Sequence, residues 1–166
     1  MRKRLFAALI ALAPVPFATQ TAAAQTAAAQ AAGAPPGLDF STARVQPGSW
    51  AYQRTPGGSA ARFVDATGTA RLVLECSRAT RRMTIARTSA TPAPSILVWT
   101  STAARSLPVR FEPNAMRVTA ELAAFDRLLD GIAFSRGRIA VTMAGAEPLV
   151  VPAWPEAART IEDCRI

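Results

Sequence analysis

The stretch from Ala70 to Arg87, ARLVLECSRATRRMTIAR, decides the fold of this chain. In its first half Leu72, Leu74 and Cys76 alternate with Arg71, Val73 and Glu75; in its second half Met83 and Ile85 alternate with Arg82 and Thr84. A period of two places successive side chains on opposite faces of a strand. The polar residues Ser77 to Thr80 between the two runs supply turn chemistry. The reading is an antiparallel hairpin with one apolar face, and Cys76 lies on that inward face.

On either side of the hairpin strands 70–77 and 82–87, the same short β-type runs recur at 50–54, 60–66, 96–100 and 107–111. Turn residues divide them: Pro56-Gly57-Gly58, Asp65 to Gly68, and Thr91 to Pro94. Near Leu122 the period changes, because Leu122, Phe125, Leu129 and Ile132 recur at helical spacing with Asp126, Arg127 and Asp130 opposite. A β pair, 138–143 and 147–151, follows around Ala144-Gly145-Ala146. Pro155 and Glu156, both favourable in a first helical turn, then open a closing helix with Trp154, Ala158, Ile161 and Cys164 on one face. The predicted class is α+β: a mainly antiparallel β domain, sandwich-like or a curved sheet, with two short helices and one disulfide.

The N-terminus reads as an export signal. Arg2, Lys3 and Arg4 precede the apolar run Leu5 to Ala13, which Pro14 and Pro16 close, and Ala22-Ala23-Ala24 before Gln25 suits signal peptidase, with Ala27-Ala28-Ala29 before Gln30 as the alternative cut. That run is too short to span a bilayer. Residues 1–24 are therefore expected to be removed, 25–47 to form a flexible leader of Ala, Gln, Thr, Pro and Gly, and 48–166 to fold as a single domain. Loss of Arg2, Lys3 and Arg4 takes the formal charge from +8 to +5. The remaining arginines are scattered rather than gathered with aromatics along one helix, which disfavours a nucleic-acid partner. In an oxidising periplasmic or extracellular compartment, an isolated pair such as Cys76 and Cys164 is most simply a disulfide.

The stretch FDRLLDGIAFSRGRIAVTMAGAEPLVVPAWPEAARTIEDCR, from Phe125 to Arg165, runs helix, strand, turn, strand, helix and ends beside a cysteine. In this order it resembles the C-terminal part of small secreted proteins of alphaproteobacteria. It is also similar in outline to periplasmic proteins of the invasion-associated locus B type and to accessory periplasmic proteins of type VI secretion. The resemblance implies an envelope location and a β-rich fold, and carries over no catalytic residue.

The chain has no histidine, which removes Ser-His-Asp and Cys-His catalysis and histidine-ligated metals. A carboxylate hydrolase would have to draw on Glu75, Glu112, Glu121, Asp126, Asp130, Glu147 and Glu156, which are spaced like surface charges. No catalytic residue, metal site or cofactor is expected. The most specific local feature is Ser135-Arg136-Gly137-Arg138, where two guanidinium groups and a hydroxyl could hold a carboxylate or phosphate. Its competing reading is a glycine turn whose arginines compensate the end of a helix. Arg78, Arg81 and Arg82 form a second basic group at the hairpin tip, suited either to contact or to solubility. Trp99 and Trp154 read as core or staple residues, with Trp50 less certain.

The functional expectation is an exported, non-enzymatic binding or interaction protein of the cell envelope, probed first at Arg136, Arg138, Arg78, Arg81 and Arg82. Its partner would be an envelope protein or an anionic small ligand, and the protein itself a monomer with no membrane span once the signal is gone. The alternative is an inhibitor or accessory subunit of an envelope hydrolase or secretion assembly.

Overall fold

A computed structural model of the chain describes residues 39–166. The signal and most of the expected leader lie outside the described residues. Ten strands form two antiparallel sheets that share one core, with two helices and a disulfide between Cys76 and Cys164.

The first sheet has six strands in the order β1 (Gly48–Thr55), β2 (Gly58–Asp65), β3 (Ala70–Ser77), β4 (Arg82–Thr88), β8 (Arg117–Ala123) and β7 (Arg110–Glu112). The hairpin that decides the fold has the register its alternation requires: Cys76 faces Met83 and Leu74 faces Ile85. The second sheet has four strands in the order β10 (Ala146–Pro152), β9 (Arg138–Met143), β5 (Ser95–Trp99) and β6 (Ala104–Pro108). Phe63, Leu72, Leu74, Met83, Ile85 and Val118 from the first sheet join Ile96, Val98, Ile139, Val141, Leu149 and Val151 from the second in the central core.

Four sequence expectations change, the fourth in the closing helix. The run expected as one strand over 107–111 splits into β6 and β7, which belong to different sheets, with Val109 carrying the chain between them and donating its N–H to the Pro94 carbonyl. The helix expected from Leu122 begins only at Arg127: α1 covers Arg127–Ala133 and Leu122 lies in β8. Val118, Ala120 and Leu122 face the core with the period of a strand, whereas Phe125 stands in solvent at 65 % exposure. Asp126 caps the helix, accepting the Leu128 N–H at 2.8 Å.

The third change concerns 39–47, expected as part of the leader. Phe40 is buried against Ala140, Val150 and Trp99, and its ring lies 5.9 Å from that of Trp99. The Gln46 N–H donates to the Val150 carbonyl at 2.8 Å, and the Arg138 guanidinium donates to the Ala43 carbonyl at 2.6 Å. This strap covers the outer side of β9 and β10, so β9 is covered on both faces and Ile139 to Met143, Thr142 included, are all buried. The folded unit thus includes residues ahead of Gly48.

The closing helix α2 (Pro155–Asp163) packs on β1, β2, β3 and α1. Its buried side is Ala157, Thr160, Ile161 and Cys164 rather than the expected stripe through Trp154 and Ala158. Trp154 sits at the N-cap, 43 % exposed. The disulfide fixes the end of α2 to β3. Gly58 makes that junction possible, since a Cβ there would stand 2.0 Å from the Cys76 carbonyl oxygen.

Candidate functional site

Ser135, Arg136, Gly137 and Arg138 form the turn from α1 into β9, but they do not converge on a pocket. The Ser135 hydroxyl donates to the Arg138 carbonyl at 2.8 Å and accepts the Ser101 N–H at 3.1 Å. The Arg136 N–H in turn reaches the Ser101 hydroxyl at 2.9 Å. Gly137 takes φ of +83°, a conformation glycine adopts without strain. The Arg138 side chain is committed to the strap at Ala43. Only the Arg136 side chain remains exposed to solvent, so the expected joint anion pocket of Ser135, Arg136 and Arg138 is replaced by a structural turn.

The second group, Arg78, Arg81 and Arg82, is exposed at the β3–β4 tip. The tip lies against the helices: the Arg81 carbonyl accepts the Ala124 N–H at 3.0 Å, and Arg78 Nε donates to the Asp163 carbonyl at 3.4 Å. Arg82's carbonyl is 3.4 Å from Cys164 Sγ. Thus the tip borders the start of α1 and the end of α2, while Arg136 stands beyond the other end of α1. The two basic groups frame the same pair of helices.

Four of the five large apolar side chains exposed among the described residues belong to that same region. Phe125 precedes α1, Phe134 follows it at 69 % exposure, Trp154 precedes α2, and Ile166 ends the chain at 80 % exposure. Arg165 draws the ends together, with its guanidinium 5.7 Å from the Phe125 ring centre, bonded to Asp130 at 2.7 Å and to the Ala124 carbonyl at 2.9 Å. Arg81, Arg82, Arg127, Arg136 and Arg159 make no ion pair among the described residues. Glu162 is the exposed carboxylate on α2, while Asp126 and Asp130 are neutralised by Arg105 and Arg165.

Where α2 meets β1 lies a polar cluster that the sequence reading did not single out. The Tyr52 hydroxyl donates to Asp163 at 2.5 Å, and the Arg159 guanidinium stacks 4.2 Å from the Tyr52 ring centre. Burial works against the charged form of Asp163, yet the bond from Tyr52 and the charges of Arg78 and Arg159 hold its carboxyl below the usual range. Asp39, Asp65, Glu112 and Asp126 are also shifted downward, mainly through hydrogen bonds from hydroxyls, arginine and backbone N–H groups. Such carboxylates are ionised at neutral pH and suit structural anchoring.

Arg87 is the other missed residue. It occupies the inward position after Met83 and Ile85, is 4 % exposed, and donates to the carbonyls of Val141, at 2.7 Å, and Glu147. Burial, with the nearby Arg71 charge second, pulls its pKa down to about 10, so it remains a cation at neutral pH. It ties the first sheet to the β9–β10 hairpin, where the register shifts between Ala146 and Leu149.

Trp50 is buried with its ring edge on Phe63, and its Nε1–H donates to Pro152 at 2.8 Å. It is a core residue. Trp154 is the exposed tryptophan of the helix region. No cluster of three or more metal-ligating side chains occurs among the described residues, and none of their helices is long and apolar enough to cross a membrane. Comparison with protein-family models, with curated proteins and with solved structures finds no match.

Proposed function

We propose that this chain is a non-enzymatic interaction protein of the cell envelope, and that it makes contact through the face built by α1, α2 and the β3–β4 tip. The observation that carries this reading is the gathering of exposed Phe125, Phe134, Trp154 and Ile166 with arginines that lack carboxylate partners. Apolar side chains exposed in one region beside an excess of one sign of charge characterise contact surfaces. The disulfide fits an extracytoplasmic compartment, since such bonds persist where the surroundings are oxidising. The export signal at residues 1–24 belongs to the same reading. A small-anion pocket is disfavoured because Arg138 and Ser135 are spent on the turn and the strap.

The test is titration with an acidic polypeptide, poly-L-glutamate, followed by fluorescence anisotropy of the labelled chain. Exchanging Arg81, Arg127 and Arg136 for glutamine is expected to weaken binding at least about tenfold, through lost charge attraction at the rim. Exchanging Arg44, Arg62 and Arg110, which lie on the strap, the outer sheet face and the far edge, removes the same charge elsewhere. Equal losses in the two sets would show that net charge alone governs binding and would overturn the assignment of the face.

A further inference from the structure

We infer that the occupant of this face is the surface of a bilayer containing anionic phospholipid, an inference that rests on the reading of the helix-pair face as the contact surface. Phe125, Phe134 and Ile166 are 65 %, 69 % and 80 % exposed, so they project from the surface instead of lining a groove. Phe125 and Phe134 stand at opposite ends of a seven-residue helix, on the order of 10 Å apart. Protein contacts concentrate their anchors in a central, well-packed pocket. Separated, protruding aromatic side chains, joined here by a half-exposed tryptophan, match the interfacial zone of a membrane, where rings settle among the headgroups.

The charges agree in sign and in place. Arg127 lies two residues from Phe125 and Arg136 two residues from Phe134; Arg81 adjoins Ala124 across the hairpin tip. Phe125 and Phe134 therefore each have an exposed arginine two residues away in the chain that can meet a phosphate while the ring enters the interface. Arg165 and Arg105 cancel Asp130 and Asp126, which leaves Glu162 and partly exposed Glu156 as the opposing charges on this side among the described residues. A second copy of the chain is disfavoured as occupant, because apposing two such faces would bring like charges together.

The experiment is co-sedimentation of the purified chain without its residues 1–24 with vesicles of phosphatidylcholine mixed with phosphatidylglycerol, against vesicles of phosphatidylcholine alone, with melting temperatures checking that each variant folds. The expected result is binding to the anionic vesicles only, weakened by salt, with a blue shift of tryptophan emission that Trp154→Phe abolishes. Each exchange of Arg81, Arg127 or Arg136 for glutamine is expected to lower partitioning about fivefold. The pair Phe125→Ser and Phe134→Ser is expected to lower it too, while leaving poly-L-glutamate binding intact. If the chain binds poly-L-glutamate through these arginines but ignores anionic vesicles, the partner is an acidic protein and the membrane inference falls while the contact reading stands. If neither probe binds, both fall. Vesicle binding that is unchanged in all the helix-face variants would place attachment elsewhere in the chain and overturn the inference.

Discussion

Replacing both Cys76 and Cys164 with alanine removes the one covalent link between the closing helix and the first sheet. The bridge spans 88 residues of sequence. On the chain-entropy model a loop of that length restricts the unfolded state by about 4 to 5 kcal/mol, and removal of native bridges from small domains costs about 2 to 5 kcal/mol. For a folded unit of this size that corresponds to a fall in melting temperature of roughly 10 to 20 °C. The loss should be cooperative, because Cys164 is fully buried and Ala157 and Ile161 of α2 belong to the central core. The assay is thermal unfolding by circular dichroism of the oxidised chain, the reduced chain and the double variant. Reduced chain and double variant should coincide at the lower temperature. An unchanged melting temperature would refute the reasoning, since it would mean that α2 does not need its covalent tie to remain docked.

Three further outcomes follow from the same contacts. Arg87→Met strips two buried carbonyls of their donor; with the desolvation of the cation relieved in part, it should cost about 2 to 4 kcal/mol, measured by urea unfolding. Phe40→Ala should cost about 2 to 3 kcal/mol, at or below the usual range for a buried phenylalanine because the strap can lift off without opening the sheets, and should expose 39–47 to limited proteolysis. Tyr52→Phe removes the hydroxyl bonded to Asp163. A carboxyl held below its unfolded value contributes stability that is present above the unfolded value near 3.8 and is lost as pH falls through the folded one. The variant should therefore be less stable than the original chain by about 1.5 to 3 kcal/mol at neutral pH, with the two curves converging below about pH 4. A gap that persists undiminished in acid would contradict the role given to Asp163.

The strands were legible where one face is wet and the other dry. Leu72, Leu74 and Cys76 against Met83 and Ile85 gave both the hairpin and its register, and the distant cysteines gave the bridge. Strand β8 was hidden because Leu122 and Phe125 extend the helical spacing of Leu129 and Ile132 backward; the competing period of Val118, Ala120 and Leu122 was the signal that would have found it. The strap was hidden by composition, since Phe40 and Val45 lie in a stretch otherwise rich in small and polar residues. For the site, charge pattern located the exposed arginines but could not tell Arg136, which is exposed, from Arg138, which is engaged by a carbonyl 95 residues earlier. Nor does apolar spacing reveal that Phe125 and Trp154 point outward. That depends on where neighbouring elements leave room, and only the assembled sheets decide it.

The central claim is that contact is made through α1, α2 and the hairpin tip, and its most direct test is amide hydrogen exchange of the full chain with and without poly-L-glutamate. The account predicts added protection concentrated in 78–82, 124–137 and 154–166, with the outer faces of both sheets unchanged. Protection centred instead on the outer face of the first sheet, around Arg62, Val73 and Thr84, would contradict it.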